Sequence, residues 1–517
     1  MTDIPWLTLG LALPALGALA VALVPRGAPG LAKRIALGVS LGTLALMAAM
    51  ASNFSTAAAD RLQFQEVHPW IPRFGINYAL GVDGIALMLI LMSAVLVPLV
   101  ILAAWHECDD ADDGDKGYFG LILLLEAMMI GVFAATDVFL FYVFFEAMLI
   151  PVYFMIGRYG RGAERRRAAV TFLLYSLAGG LLMLVAVIGV YVYGGTFLWS
   201  DLAGGALAQV DPAAARWLFL GFFIAFAIKA PMWPLHSWLP SAAASSRPGT
   251  AVLLVGVLDK VGTYGMLRYC LELFPGAATW FVWPAVALSL VSIVYGAVLA
   301  IGQSDMMRLI AFTSVSHFGF ITLGIFAMTT QAQSGAALYM INHGFATGAL
   351  FLIVGFLLAR RGSAAIGDYQ GVQKVAPVLA GTFLLAGLAG LALPGLAPFV
   401  SEFLVFVGTY AFNPVPAVIA AVGVVLAALY ILWMYQRTMT GPVPERLAGL
   451  RDLDAREVAA IAPLAALIVL LGVYPQPMLD AAEPAVERTM VQLDAVDPAP
   501  AVDGAGPVAG GEEGAHE

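Results

Sequence analysis

The stretch FFIAFAIKAPMWPLHSWLP, residues 222–240, sets Lys229 inside an apolar run and then interrupts that run with Pro231 and Pro234. A lysine in hydrocarbon costs about 2.5–3.5 kcal/mol even on lenient insertion scales, so it has to face protein or water and find a partner. Proline removes a backbone donor, and a broken backbone at membrane depth is tolerated only where protein or a watery cavity encloses it. Lys229 and the two prolines therefore point to one thing, a polar interior at mid-membrane.

The rest of the chain supplies the membrane context. Of 517 residues, 61% are hydrophobic and 11% charged, and apolar runs of spanning length recur along the sequence. This excludes a soluble domain and predicts an all-α polytopic membrane protein of about fourteen spans. The net charge of −9 comes mostly from residues 107–115 and from the tail, so it names no partner. No basic groove points to nucleic acid. Cys108 and Cys270 match no CxxC or zinc spacing, which argues against a metal site. Asp3 and the missing basic n-region predict a retained first helix rather than a cleaved signal. The tail, residues 481–517, is rich in Pro, Gly, Ala and acids and is expected to be disordered.

Basic residues gather on the cytoplasmic side of membrane proteins. Alternate loops collect Arg26, Lys33 and Arg34, then Lys116, the arginines from Arg158 to Arg167, Arg247, Arg308, Arg360, Arg361 and Lys374, and finally those from Arg437 to Arg456. The opposite loops hold Arg61, Arg73, Arg216, Arg268 and Arg488. One threading sorts the charges, with both termini on the outer side. A second interrupted run, LALPGLAPFVSEFLVF, is broken by Pro394 and Pro398 and then carries Glu402. Two Pro-broken helices in corresponding places predict two inverted five-helix repeats with sites near the midplane. The expected division is 1–116 (three helices), 117–272 and 273–437 (the repeats), 438–480 (a last helix) and the tail.

The titratable groups inside apolar spans are Glu126, Glu146, Lys229, Asp259, Lys260, His317, His343 and Glu402. Only five lysines occur, and two of them are here. Desolvated lysine changes its proton affinity readily, a facing glutamate makes that affinity tunable, and histidine relays protons near neutral pH. Each group also has a bland reading: a Glu and Lys can form a static pair, and a lone histidine can simply be a satisfied core residue. Glu126 has no helix break near it. Asp259 adjoins Lys260, yet helix neighbours point about 100° apart, so it can serve another helix. His236, beside Pro234, can cap freed carbonyls. No P-loop, GxGxxG, activated nucleophile or cysteine cluster offers bond or redox chemistry.

With these residues in view, the chain resembles the antiporter-like subunits of respiratory complex I (NADH:quinone oxidoreductase), most closely the subunit M branch that includes mitochondrial subunit 4. The resemblance rests on GVDGIAL (81–87), ATDVFLFYVFFEAMLIPVYF (135–154), AIKAPMWPLHSWLP (227–240), DKVGTYGMLR (259–268), SDMMRLIAFTSVSHFGF (304–320), NHGFATGALF (342–351) and PGLAPFVSEFLVF (394–406). It implies a non-redox, proton-translocating subunit of the bacterial inner membrane, coupled to electron transfer elsewhere. Glu146 and Lys229 would be the modulating pair, Lys260 the relay lysine, His317 and His343 the onward carriers and Glu402 the terminal group. NADH, FMN, iron–sulfur clusters and quinone would belong to partner subunits, and L-like and N-like chains would pack alongside. Glu402 separates the M branch from L and N, which usually carry lysine there. Where the family commonly has Asp and His after WLP, this chain has Ser241 and Ala243. That leaves proton uptake from the cytoplasmic side without its usual groups. Related readings are a subunit of a multisubunit sodium/proton antiporter or membrane-bound hydrogenase, and a structural scaffold of the membrane arm.

Overall fold

The computed structural model describes residues 4–25, 28–107 and 116–498. Among them thirteen helices are long and apolar enough to cross a bilayer, and two shorter apolar helices, Pro377–Gly390 and Ala397–Phe412, flank Pro394. Counting that broken pair as one crossing gives the expected fourteen. Helix starts are set chemically: Asp83, Asp137, Asp305, Thr329, Asn413 and Asp454 each cap a helix by accepting backbone N–H groups. The expectation of an all-α chain gains one addition. Gln63–Ile71 and Ile76–Val82 form an antiparallel hairpin, turned at Gly75 in a left-handed conformation that suits glycine.

Burial sorts the helices by role. Arg165–Gly194 and Pro414–Met439 expose large apolar side chains such as Leu181, Val185, Val192, Val418 and Val425, the surface expected against lipid or a sister subunit. Pro248–Leu271, Met306–Phe326 and Thr330–Arg361 are almost wholly enclosed. Those three helices carry Asp259, Lys260, His317 and His343. The titratable groups thus sit at the protein's centre rather than toward lipid.

The basic loops meet on one face, as the charge sorting predicts. Lys33 donates to the Trp105 carbonyl, Lys116 to Val24, Arg247 to Tyr159, Arg456 to Leu102 and Ala103, and Arg446 to Gly367. Arg360 makes a two-pronged ion pair with Glu457. Arg26 lies outside the described residues.

The opposite face corrects one expectation. Residues 481–492 are ordered: they complete the helix Gln476–Gln492, which buries Ala481, Ala482, Ala485, Val486 and Met490. Composition favoured disorder, but alanines on one stripe bury well against Gly84–Ala103 and Thr330–Arg361, and Arg488 finds buried acids. Its guanidinium sits 2.9 Å from Asp83 and 3.0 Å from Glu272, and Arg268 lies 2.9 Å from the same Asp83. Burial works against the Asp83 charge, yet Arg268 and Arg488 hold its carboxyl below the usual range. Residues 499–517 lie outside the described part. Asp83→Ala leaves two guanidiniums, Arg268 and Arg488, to share the single carboxylate of Glu272, and breaking a buried pair in this way costs about 3–5 kcal/mol. Amide exchange across 476–492 should accelerate accordingly in the assembled protein, and unchanged protection would refute the clasp.

Candidate proton-relay site

The first break is built as its prolines require. Pro212–Lys229 ends at Lys229, whose side chain is fully buried. The freed Ile228 carbonyl accepts from the Trp238 indole at 3.0 Å, and the Trp233 amide donates to Ser292 Oγ at 2.9 Å. Trp238 therefore does the capping considered for His236. The His236 ring instead packs on Tyr295 and Phe312, and its Nδ1 has no partner.

Lys229 Nζ also has no hydrogen-bond partner and stands 4.9 Å from the Phe145 ring centre and 5.6 Å from that of Phe172. It interacts electrostatically with Glu146 and Asp259. Glu146 sits at an interruption between Val138–Ala147 and Leu149–Gly157, where Pro151 cannot donate to the Ala147 carbonyl. Gly180 makes room for its carboxylate, since a Cβ there would overlap Oε1. The pair faces each other without a hydrogen bond from the ammonium.

Asp259 settles the question that helix geometry left open. It is fully buried, both oxygens lack hydrogen-bond partners, and it interacts with Lys260 and with Lys229. It therefore lies electrostatically between the two lysines. Lys260 follows a π-helical turn, Leu254–Leu258, and donates to the Val255 carbonyl at 2.6 Å. Such wide turns cluster at functional sites because they free backbone groups. The same Nζ lies 2.6 Å from His343 Nδ1 and 4.9 Å from the Phe318 ring centre.

Beyond Lys260 the groups form a line. The His343 and His317 ring centres are 5.1 Å apart at 80°, and His317 approaches the Gly390 carbonyl beside the second break. Tyr339, a residue the sequence reading missed, stands 6.0 Å from His317 by ring centres and donates to Glu402 Oε2 at 3.3 Å. Its signal was available: it lies one helical turn before His343, on the same face. At the second break Pro394 falls in the linker, Pro398 opens the helix Ala397–Phe412, and Asn342 secures the Ala397 carbonyl at 2.8 Å. Glu126 is not part of the line. It is fully buried, its oxygens have no hydrogen-bond partners, and only burial acts on it.

Residues 135–429 match the family model described as NADH:quinone oxidoreductase/Mrp antiporter, TM. The chain belongs to that family. NADH-quinone oxidoreductase subunit M of Mycobacterium tuberculosis is 51% identical over the full length of both chains. A chain of respiratory complex I from Thermus thermophilus with bound NADH superposes with a TM-score of 0.85 at 33% identity, covering 94% of this chain and 99% of that one. A chain of the Mrp complex from Dietzia shares the fold, with a TM-score of 0.82 at 22% identity over 95% of this chain and all of that one.

Within this antiporter-like family member, Gly180→Ala should push the Glu146 carboxylate from its seat and cost about 1–3 kcal/mol as overpacking does. Thermal unfolding of the purified assembly measures the loss; an unchanged midpoint would mean that Glu146 has space to spare.

Proposed function

We propose that this chain is a proton-translocating, non-redox membrane subunit of NADH:quinone oxidoreductase. The observation that carries this reading is the enclosed line from Lys260 to His343 at 2.6 Å, across His317 and Tyr339, to Glu402 at 3.3 Å. A change at the Glu146 and Lys229 pair, driven by electron transfer in partner subunits, is felt at Asp259. From there it alters the hold of Lys260 on its proton. The proton then moves through the imidazoles to Glu402 and the outer face. Moving one charge against 100 mV costs about 2.3 kcal/mol, the size of a shift of roughly two pKa units.

On this reading the protein lies in the bacterial inner membrane with both termini outside and the arginine-rich face inside. The two repeats, 117–272 and 273–437, each contribute one broken helix. NADH, FMN, iron–sulfur clusters and quinone sit in partner subunits, and L-like and N-like chains cover the exposed apolar helices. The 51% relative names the enzyme and is the stronger support; the Mrp likeness at 22% speaks for the fold alone.

Lys260→Ala or Glu402→Ala, in a complex that still assembles, should lower NADH-driven proton pumping more than about ten-fold. Tyr339→Phe keeps the ring and loses the hydroxyl, so its pumping should fall several-fold. Vesicle acidification measured beside NADH oxidation decides the matter. A scaffold would pump normally in all three variants.

A further inference from the structure

At the arginine-rich face, Glu107 directly follows the Gly84–His106 helix. Both of its carboxylate oxygens lie 3.4 Å from the Gly249 amide, at the start of the helix that carries Lys260. A cavity of about 570 Å³ opens beside it, lined by His106, Arg161, Arg165, Arg247, Arg456 and Glu457 among others. A polar space of that size holds water readily. The charged groups come from several elements: Arg161 from the connection before the helix Arg165–Gly194, Arg165 from the first residue of that helix, Arg247 from the residue preceding Pro248, and Arg456 and Glu457 from Ala455–Val473. Thr330–Arg361 contributes Gly355, which brings backbone close to Glu107 without a titratable group. Glu457 is held by Arg360, so the lining is positive overall.

Polar groups continue inward from this acid. The Tyr118 hydroxyl is close enough to Gly249 that a Cβ there would stand 3.1 Å away, and it pairs with Thr250 Oγ1 at 3.0 Å in a fully buried setting. Thr250 precedes Val255 by five residues, roughly 8 Å along a helix. The Val255 carbonyl is the one that binds the Lys260 ammonium, and it lies in the π-turn Leu254–Leu258 that follows the regular helix Pro248–Leu253. At the first helix break, by contrast, Ser241 and Ala243 supply no titratable group.

We infer that Glu107 is the proton-loading residue of this chain, taking protons from the arginine-lined cavity and handing them past the Tyr118 and Thr250 hydroxyls to Lys260. The proton leaves the Glu107 carboxyl, crosses hydroxyl and water oxygens, and ends on the neutral Lys260 amine; cavity water then reprotonates Glu107. Burial pushes the Glu107 carboxyl up to about 7, even though the Gly249 amide and the guanidiniums of Arg247, Arg161 and Arg456 draw it down. It is thus loaded below that pH, empties above it, and exchanges protons at little cost near neutrality. This inference rests on the relay reading above.

The test uses the complete complex in inverted membrane vesicles, with assembly checked by native gel, and reads protons moved per NADH oxidised between about pH 6 and pH 9. Glu107→Gln should lower that ratio several-fold and remove its pH dependence around neutrality, while Glu107→Asp, which keeps an acid, should recover most of it. Lys260→Ala runs alongside. If Lys260→Ala stops pumping but Glu107→Gln keeps the native ratio at every pH, loading occurs elsewhere and the inference is overturned. Native pumping by Lys260→Ala would instead overturn the relay itself.

Discussion

An ammonium group enclosed by protein at membrane depth has to be solvated by whatever surrounds it, and the interior of this molecule follows from that demand. Taking such an ion out of water costs several kcal/mol even after relaxation. Around Lys260 that cost is offset by the Val255 carbonyl, the His343 ring nitrogen, the Phe318 face and the field of Asp259. None of these is a full ion pair in contact. A strong, dry ion pair would fix the proton, whereas a carbonyl and an imidazole hold the amine in place and leave its charge state free to change.

The interruptions in the helices serve the same need. Regular helix spends its backbone groups internally and offers none to a buried ion. This chain departs from regularity next to its titratable groups: at Met148 beside Glu146, from Ala230 after Lys229, at Leu254–Leu258 before Lys260, and in the linker before Glu402. The two proline breaks are each paired with a specific repair. Trp238 and Ser292 satisfy the first break and Asn342 the second. The breaks are held in place by neighbouring helices, so they do not act as loose joints.

The two faces of the membrane domain are joined by different chemistry. On the basic face, lysine and arginine side chains reach backbone carbonyls of other loops and surround the Glu107 cavity. On the other face, Asp83, Glu272, Arg268 and Arg488 form a buried ionic group that ties the Gln476–Gln492 helix to the end of the Lys260 helix. Arg268 lies two helical turns from Lys260. A buried ionic anchor at one face and an arginine-lined cavity at the other give the Lys260 helix two chemically different ends.

Reading the residues alone went far because a bilayer is an unforgiving solvent. Span number, helix breaks at prolines, the sorting of basic loops and the roster of buried acids, amines and imidazoles all follow from transfer costs that a linear sequence displays. What it could not display was direction and distance. Helical spacing allowed Asp259 to serve another helix, and packing put it within the field of both Lys260 and Lys229. Glu126, which the sequence already set apart for having no helix break near it, is buried with no hydrogen-bond partner. Tyr339 acquired its place only when Glu402 came within reach across the second break. His236 lost its capping role to Trp238, and alanines that read as a disordered tail found a surface to cover. Composition determines which groups water or lipid would refuse, whereas the meeting of helices far apart in the chain decides which of those groups touch.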